Sequence, residues 1–185
     1  MKIFIIGFNK TGTRTLHNYF SKNLIPSIHW DHGKLAKQIK YNHENGIKIL
    51  TGYDQYTVFS DMEDYINLNY AHVDYFKEFD KVYPESKFIL NIRDVENWIK
   101  SRNNHDKYTE NLCKKLNVTK EVLNQRWRED YYNHKKNVIN YFSDKPNKLL
   151  IFDIEKDSVQ NLNDFFPKLQ LNSKHYTHEG KTKHT

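Results

Sequence analysis

The sequence predicts an α/β fold: a single three-layer domain over residues 1–185, with a mostly parallel sheet flanked by helices. Short apolar runs alternate with helical patterns, no repeat or linker divides the chain, and the first apolar run passes straight into a glycine-containing turn that opens a helix. Such alternation builds βαβ units, whose parallel strands are covered on both faces and receive ligands at their carboxyl ends.

Residues 2–6, 87–92 and 148–152 read as buried parallel strands, because each is a continuous apolar run entered from a polar turn and left toward a polar loop. Residues 56–60 make a weaker fourth. Helical periodicity covers 13–22, 33–45, 72–83, 95–103, 119–142 and 158–166. Asp94 and Thr119 stand where N-caps belong, and Asp157 with Gln160 three residues later resembles a capping box. The four prolines, at 26, 84, 146 and 167, are scattered and mark no domain boundary.

The apolar fraction is only 37%, so the core must lean on 13 Tyr, 11 Phe and 3 Trp. A net charge of +6 favours an anionic partner. The basic residues are spread along the chain without an arginine-rich block, so no nucleic-acid partner is expected. Cys113 is the only cysteine, which excludes an internal disulfide and fits a reducing, cytoplasmic compartment. The apolar opening is too short for a signal-peptide core, and no stretch approaches the ~20 apolar residues of a membrane span. No membrane partner is therefore expected. Ten histidines include the run His29-Trp30-Asp31-His32, but two histidines three apart lack the three or four ligands of a zinc site, so no metal is expected either.

The stretch Gly7-Phe8-Asn9-Lys10-Thr11-Gly12-Thr13-Arg14-Thr15 carries the most chemistry. Its glycines permit a tight turn after a strand, and the amides beyond the turn can converge on one anion in front of the helix N-terminus. A nucleotide triphosphatase loop would continue from its second glycine with Lys and Ser/Thr, which hold the phosphates and magnesium. Here Thr13 and Arg14 occupy those places and the lysine comes earlier, at Lys10, which disfavours ATP chemistry.

Lys10-Thr11-Gly12-Thr13 resembles the 5'-phosphosulfate loop of sulfotransferases that use 3'-phosphoadenosine-5'-phosphosulfate (PAPS). Arg14 departs from that pattern and Thr15 restores a hydroxyl. A second stretch, Lys87 through Arg93 and on to Ser101, is similar to the family's 3'-phosphate segment, where a strand ends in Arg and a Ser follows eight residues later. A guanidinium there offers a bidentate fork to phosphate. Arg93 could instead pair with Asp94 or Glu96. The late segment His178-Glu179-Gly180-Lys181-Thr182-Lys183 is similar to the basic segment that closes over the nucleotide, with Lys181 in reach of the 3'-phosphate, or else is a frayed tail.

The resemblance implies a P-loop-like sulfotransferase fold. It also implies transfer of the sulfuryl group to a small-molecule or carbohydrate acceptor through a hydroxyl or amine, with release of adenosine 3',5'-bisphosphate and no metal. Lys10 would neutralise the leaving oxygen, with Asn9, Thr11, Gly12, Thr13, Arg14 and Thr15 around the phosphosulfate. Asp61 stands where the family carries its base, ahead of His29 and then His72; it could equally be a helix cap. Trp30, Tyr53, Tyr56, Tyr65 and Tyr70 are candidates for an acceptor pocket. Two other readings remain: a P-loop kinase using residues 149–153 as its magnesium strand, and an anion- or nucleic-acid-binding module without chemistry.

Overall fold

The computed structural model describes residues 1–177. Its elements run in the order β1 (Ile3–Ile5), α1 (Thr13–Lys22), β2 (Ser27–His29), α2 (Lys34–Glu44), β3 (Val58–Ser60), β4 (Glu63–Asp64), β5 (Asn69–Tyr70), α3 (Ala71–Asp74), α4 (Phe76–Val82), β6 (Lys87–Ile92), α5 (Val95–Asn103), α6 (Tyr108–Leu116), α7 (Lys120–Phe142), β7 (Leu149–Asp153) and α8 (Val159–Phe165). Five strands pair in parallel in the order β2-β3-β1-β6-β7, while β4 and β5 make a small antiparallel pair. The α/β fold read from the sequence is the fold observed.

Alternation along the strands divides the core. Phe4 and Ile6 face one side of the sheet, where they pack with Phe59, Phe88 and Leu90 beneath α2, α4 and α7. Ile3 and Ile5 face the other, with Val58, Ile89 and Phe152 beneath α1 and α8. The aromatic residues do much of the filling: the Phe4 ring stacks on Phe79 at 4.5 Å and lies near Phe88 at 5.3 Å and Phe59 at 5.4 Å. Offset pairs of this kind add roughly 0.5–1.5 kcal/mol each beyond the area they bury. A third cluster, around Phe8, Trp98, Tyr108 and Trp127, packs α5, α6 and α7 against the end of β1.

Chain order reverses at β1: β3 and β2 lie on one side of it, β6 and β7 on the other. The loops after β1, β3 and β6 therefore leave three adjacent strand ends around one crevice, the place where open parallel sheets receive ligands. Residues 7–12, 61–62 and 93–94 occupy those loops.

Local chemistry sets most boundaries. Asp94 caps α5 by accepting from the amides of Glu96 and Asn97, and Thr119 caps α7 by accepting from Val122. The expected box at Asp157 is corrected: Ser158 caps α8 through Gln160 N, while the Asp157 carboxylate accepts from Asp153 N. Residues 72–83 form two helices rather than one, because Tyr75 leaves helical geometry (φ −117°) as its ring packs on His43. Among the described residues, no helix is long and apolar enough to cross a membrane.

Candidate active site

The loop after β1 is fixed from β6. A Cβ on Gly7 would stand 2.0 Å from the carbonyl oxygen of Asn91, so only glycine lets the two backbones approach so closely. Asn91, a buried amide within β6, accepts from Gly7 N at 2.8 Å and donates to both the carbonyl and the hydroxyl of Thr11, at 3.1 and 2.6 Å. Trp98 donates its indole N–H to the carbonyl of Asn9. Held in this way, the chain turns through positive φ at Lys10 (64°) and Gly12 (89°) and enters α1. Gly12 is the N-cap, so α1 begins with no capping side chain, and its first turn carries no acid. The positive end of the helix is thereby left to whatever enters the crevice.

Lys10, Arg14 and Arg93 all line that crevice, together with Ser101 on α5 and the carboxylates Asp61 and Glu63. Arg93 sits at the carboxyl end of β6 and reaches two partners: Nη1 donates to the carbonyl of Lys10 at 3.2 Å, and Nε and Nη2 grip Glu155 at 3.0 and 2.6 Å. The lysine loop and the strand-end arginine thus form one wall. Partial burial, then the neighbouring Arg14, pushes the Lys10 ammonium below its ordinary pKa, opposed by Asp61 and Glu63.

The facing wall is acidic and largely buried. Asp61 follows β3 with φ 53°, and its Oδ2 lies 3.4 Å from His29 Nε2, whose ring also contacts Ser60 Oγ. Glu63 Oε1 accepts from Asn9 Nδ2 at 2.5 Å and from the Tyr108 hydroxyl at 3.1 Å. Arg102, 2% exposed, donates Nε to Asn9 Oδ1 and Nη2 to Tyr108, and stands 3.9 Å from Glu63. Burial raises both carboxyl pKa values above the ordinary range, and Asp61 raises Glu63 further. Burial lowers His29 to about 4, so its imidazole is neutral at pH 7.

A family model described as a sulfotransferase domain matches residues 2–117. That span runs from β1 through α6 and contains the lysine loop, both carboxylates, Arg93 and Ser101. The chain belongs to the sulfotransferase family. No curated protein matches it.

The cleft gathers Asn9, Lys10, Gly12, Thr13, Arg14, Arg93, Ser101, Asp61 and His29. Thr11 and Thr15 are fully buried, and the Thr11 hydroxyl donates to Phe8 O and accepts from Asn91. Lys181 lies outside the described residues. Arg93 pairs with Glu155 rather than with Asp94 or Glu96. His72 is fully buried and does not line the cleft, and burial lowers its pKa to about 3. Of the aromatic candidates, Trp30 and Tyr65 line the cleft, while the Tyr53 hydroxyl donates to Asp31 and Tyr56 packs on the core.

Sequence reasoning missed Glu63, Arg102, Tyr108 and Glu155. Each is a single polar residue in an otherwise ordinary stretch, and only the fold brings them together. Asp153, the magnesium ligand of a kinase reading, turns instead into the bend after β7, where Oδ1 accepts from Glu155 N. Among the described residues, no group of three or more His, Cys, Asp or Glu could hold a metal ion.

Proposed function

We propose that this sulfotransferase takes its sulfuryl group from PAPS and passes it to a hydroxyl or amine of a small-molecule or carbohydrate acceptor, releasing adenosine 3',5'-bisphosphate. One observation carries the reading: Lys10 and Arg93 share a wall, joined by the Arg93 to Lys10 hydrogen bond, at the carboxyl ends of adjacent strands. Two separated anionic groups on one nucleotide can be met there at once, the 5'-phosphosulfate by Lys10 and the amino end of α1, the 3'-phosphate by Arg93 and Ser101.

In this reading the acceptor oxygen or nitrogen bonds to sulfur while the bond from sulfur to the 5'-phosphate oxygen breaks. Lys10 neutralises the charge arriving on that oxygen. As in phosphoryl transfer, positioning and charge stabilisation supply most of the acceleration. The acceptor's proton goes to Asp61, whose raised pKa moves a carboxylate toward the range suited to a base near neutral pH. His29 Nε2 lies beside it in the same wall, 3.4 Å from Asp61 Oδ2. Lys10, Arg14 and Arg93 offset charge on the donor, and the proposal needs no metal in the site.

Calorimetry tests it. Adenosine 3',5'-bisphosphate should bind saturably in the presence of EDTA, and more tightly than ATP with magnesium. The reverse ranking would favour a kinase. Binding of DNA or RNA with a steep salt slope and no nucleotide binding would favour a module without chemistry.

A further inference from the structure

A second concavity lies behind the cleft, between α7 and the segment 70–74, and its floor is built differently from an ordinary solvated helix face. Trp127, Asp130, Asn133 and Asn137 succeed one another along α7, facing Val73 and Asp74. Taken alone, such a stripe of acids and amides is what solvent-facing helices carry. The floor beneath it is Arg102 and His134, only 2% and 3% exposed.

Both floor residues have unused hydrogen-bonding capacity. A guanidinium carries five N–H donors, and Arg102 spends Nε on Asn9 and Nη2 on Tyr108. His134 Nε2 meets the carbonyl of Ile6 at 2.7 Å, so that nitrogen carries the proton and Nδ1 is a bare acceptor; Nδ1 is buried with no partner. An unmet buried acceptor such as His134 Nδ1 is costly to the folded state. A ligand that supplies the missing partners recovers that cost on binding.

The signs of charge choose the ligand. An anion attracted to Arg102 would meet Asp74 and Asp130, and a cation attracted to those carboxylates would meet a guanidinium. Hydroxyl groups satisfy both, since each can accept from Arg102 and donate to a carboxylate or an amide oxygen. Planar Asp, Asn and Arg groups also suit pairs of neighbouring hydroxyls. Phe8, Trp127 and Tyr70 supply apolar surface for the C–H side of a ring. The cavity measures about 160 Å³, against the ~150 Å³ of an engineered cavity that accepts benzene, so it suits one six-membered ring.

We infer that this groove is a second binding site, distinct from the transfer cleft, for a neutral, hydroxyl-rich six-membered ring such as a monosaccharide or cyclitol. It shares Arg102 with the network that holds Glu63 and Asn9, and it stands whether or not the donor is PAPS.

The test is an amide NMR titration of the labelled protein with glucose, galactose and myo-inositol, with glycine as the charged comparison. At least one polyol should give saturating shifts at the amides of Val73, Asn133 and Asn137 and at the Trp127 indole. In Asp130→Leu and Asn137→Leu, exposed positions on α7 that leave the core intact, the apparent Kd should rise at least tenfold. Saturation with none of the three polyols would overturn the inference. So would stronger binding of glycine at the same amides, shifts confined to residues 9–14, or unchanged affinity in both leucine variants.

Discussion

Replacing Arg102 by Met should unfold this protein far more easily than its volume change suggests. The guanidinium is almost wholly buried and lies against Trp127 and Trp98, its carbon 4.5 and 4.6 Å from the ring centroids. Methionine retains much of that packing but abandons Asn9, Tyr108 and the facing Glu63. The loss leaves Asn9 Oδ1 and the Tyr108 hydroxyl oxygen buried without that donor, at about 1–3 kcal/mol each. For a chain of this length each kcal/mol lowers Tm by ~2–4 °C, so the expected fall is ~4–24 °C. Thermal and urea denaturation followed by circular dichroism would measure it. Glu63 itself makes a pH prediction. Its folded pKa is raised, so the folded state holds a proton that the unfolded chain has released above pH ~4.3, and stability contributed by this group falls as pH rises. The stability difference between Glu63→Gln and the native chain should therefore grow in the variant's favour from pH ~4.3 upward. An Arg102→Met protein melting within ~2 °C of native, or a difference that shrinks with pH, would refute the reasoning.

Further consequences concern the cleft. Lys10→Ala should cut sulfuryl transfer by about 10²-fold or more while leaving the melting curve in place, because no part of the core depends on the ammonium; near-normal turnover would contradict its role. Arg93→Ala should weaken adenosine 3',5'-bisphosphate roughly ten- to hundredfold by calorimetry, the loss expected for a charge-assisted hydrogen bond of about 1.5–3 kcal/mol. Asp61→Asn should lower kcat by about 10²–10⁴ at neutral pH. The native pH profile should lose rate as pH falls through a midpoint above the ordinary carboxylate range, and the variant should lack that limb.

What the sequence disclosed depended on how local the cause was. Strand β6 and helix α5 were legible to the residue, because the apolar run ends at Ile92 and Asp94 caps the helix beyond it. The lysine loop was legible because a strand, two glycines and a helix start are contiguous. Helix α6 escaped because its N-cap, Lys107, offers no capping side-chain bond, and its buried residues are few and mixed: Tyr108, Thr109 and Leu112. Strand β2 escaped because Ser27, Ile28 and His29 are only partly buried at a sheet edge, without the apolar run that marks a central strand. In the cleft, residues named by a contiguous motif came together, but Thr11 and Thr15 turned inward: α1 starts at Thr13, and the loop is pinned by Asn91, 80 residues away. The Glu63, Asn9, Arg102 and Tyr108 network spans β4, the first loop, α5 and α6, and no spacing along the chain announces it.

The most direct test of the shared nucleotide cleft is a crystal structure with adenosine 3',5'-bisphosphate bound. The 5'-phosphate should lie within hydrogen-bond reach of Lys10 and the first amides of α1, and the 3'-phosphate within reach of Arg93 and Ser101. A nucleotide bound elsewhere, or one that leaves either Lys10 or Arg93 without a phosphate contact, would contradict the assignment.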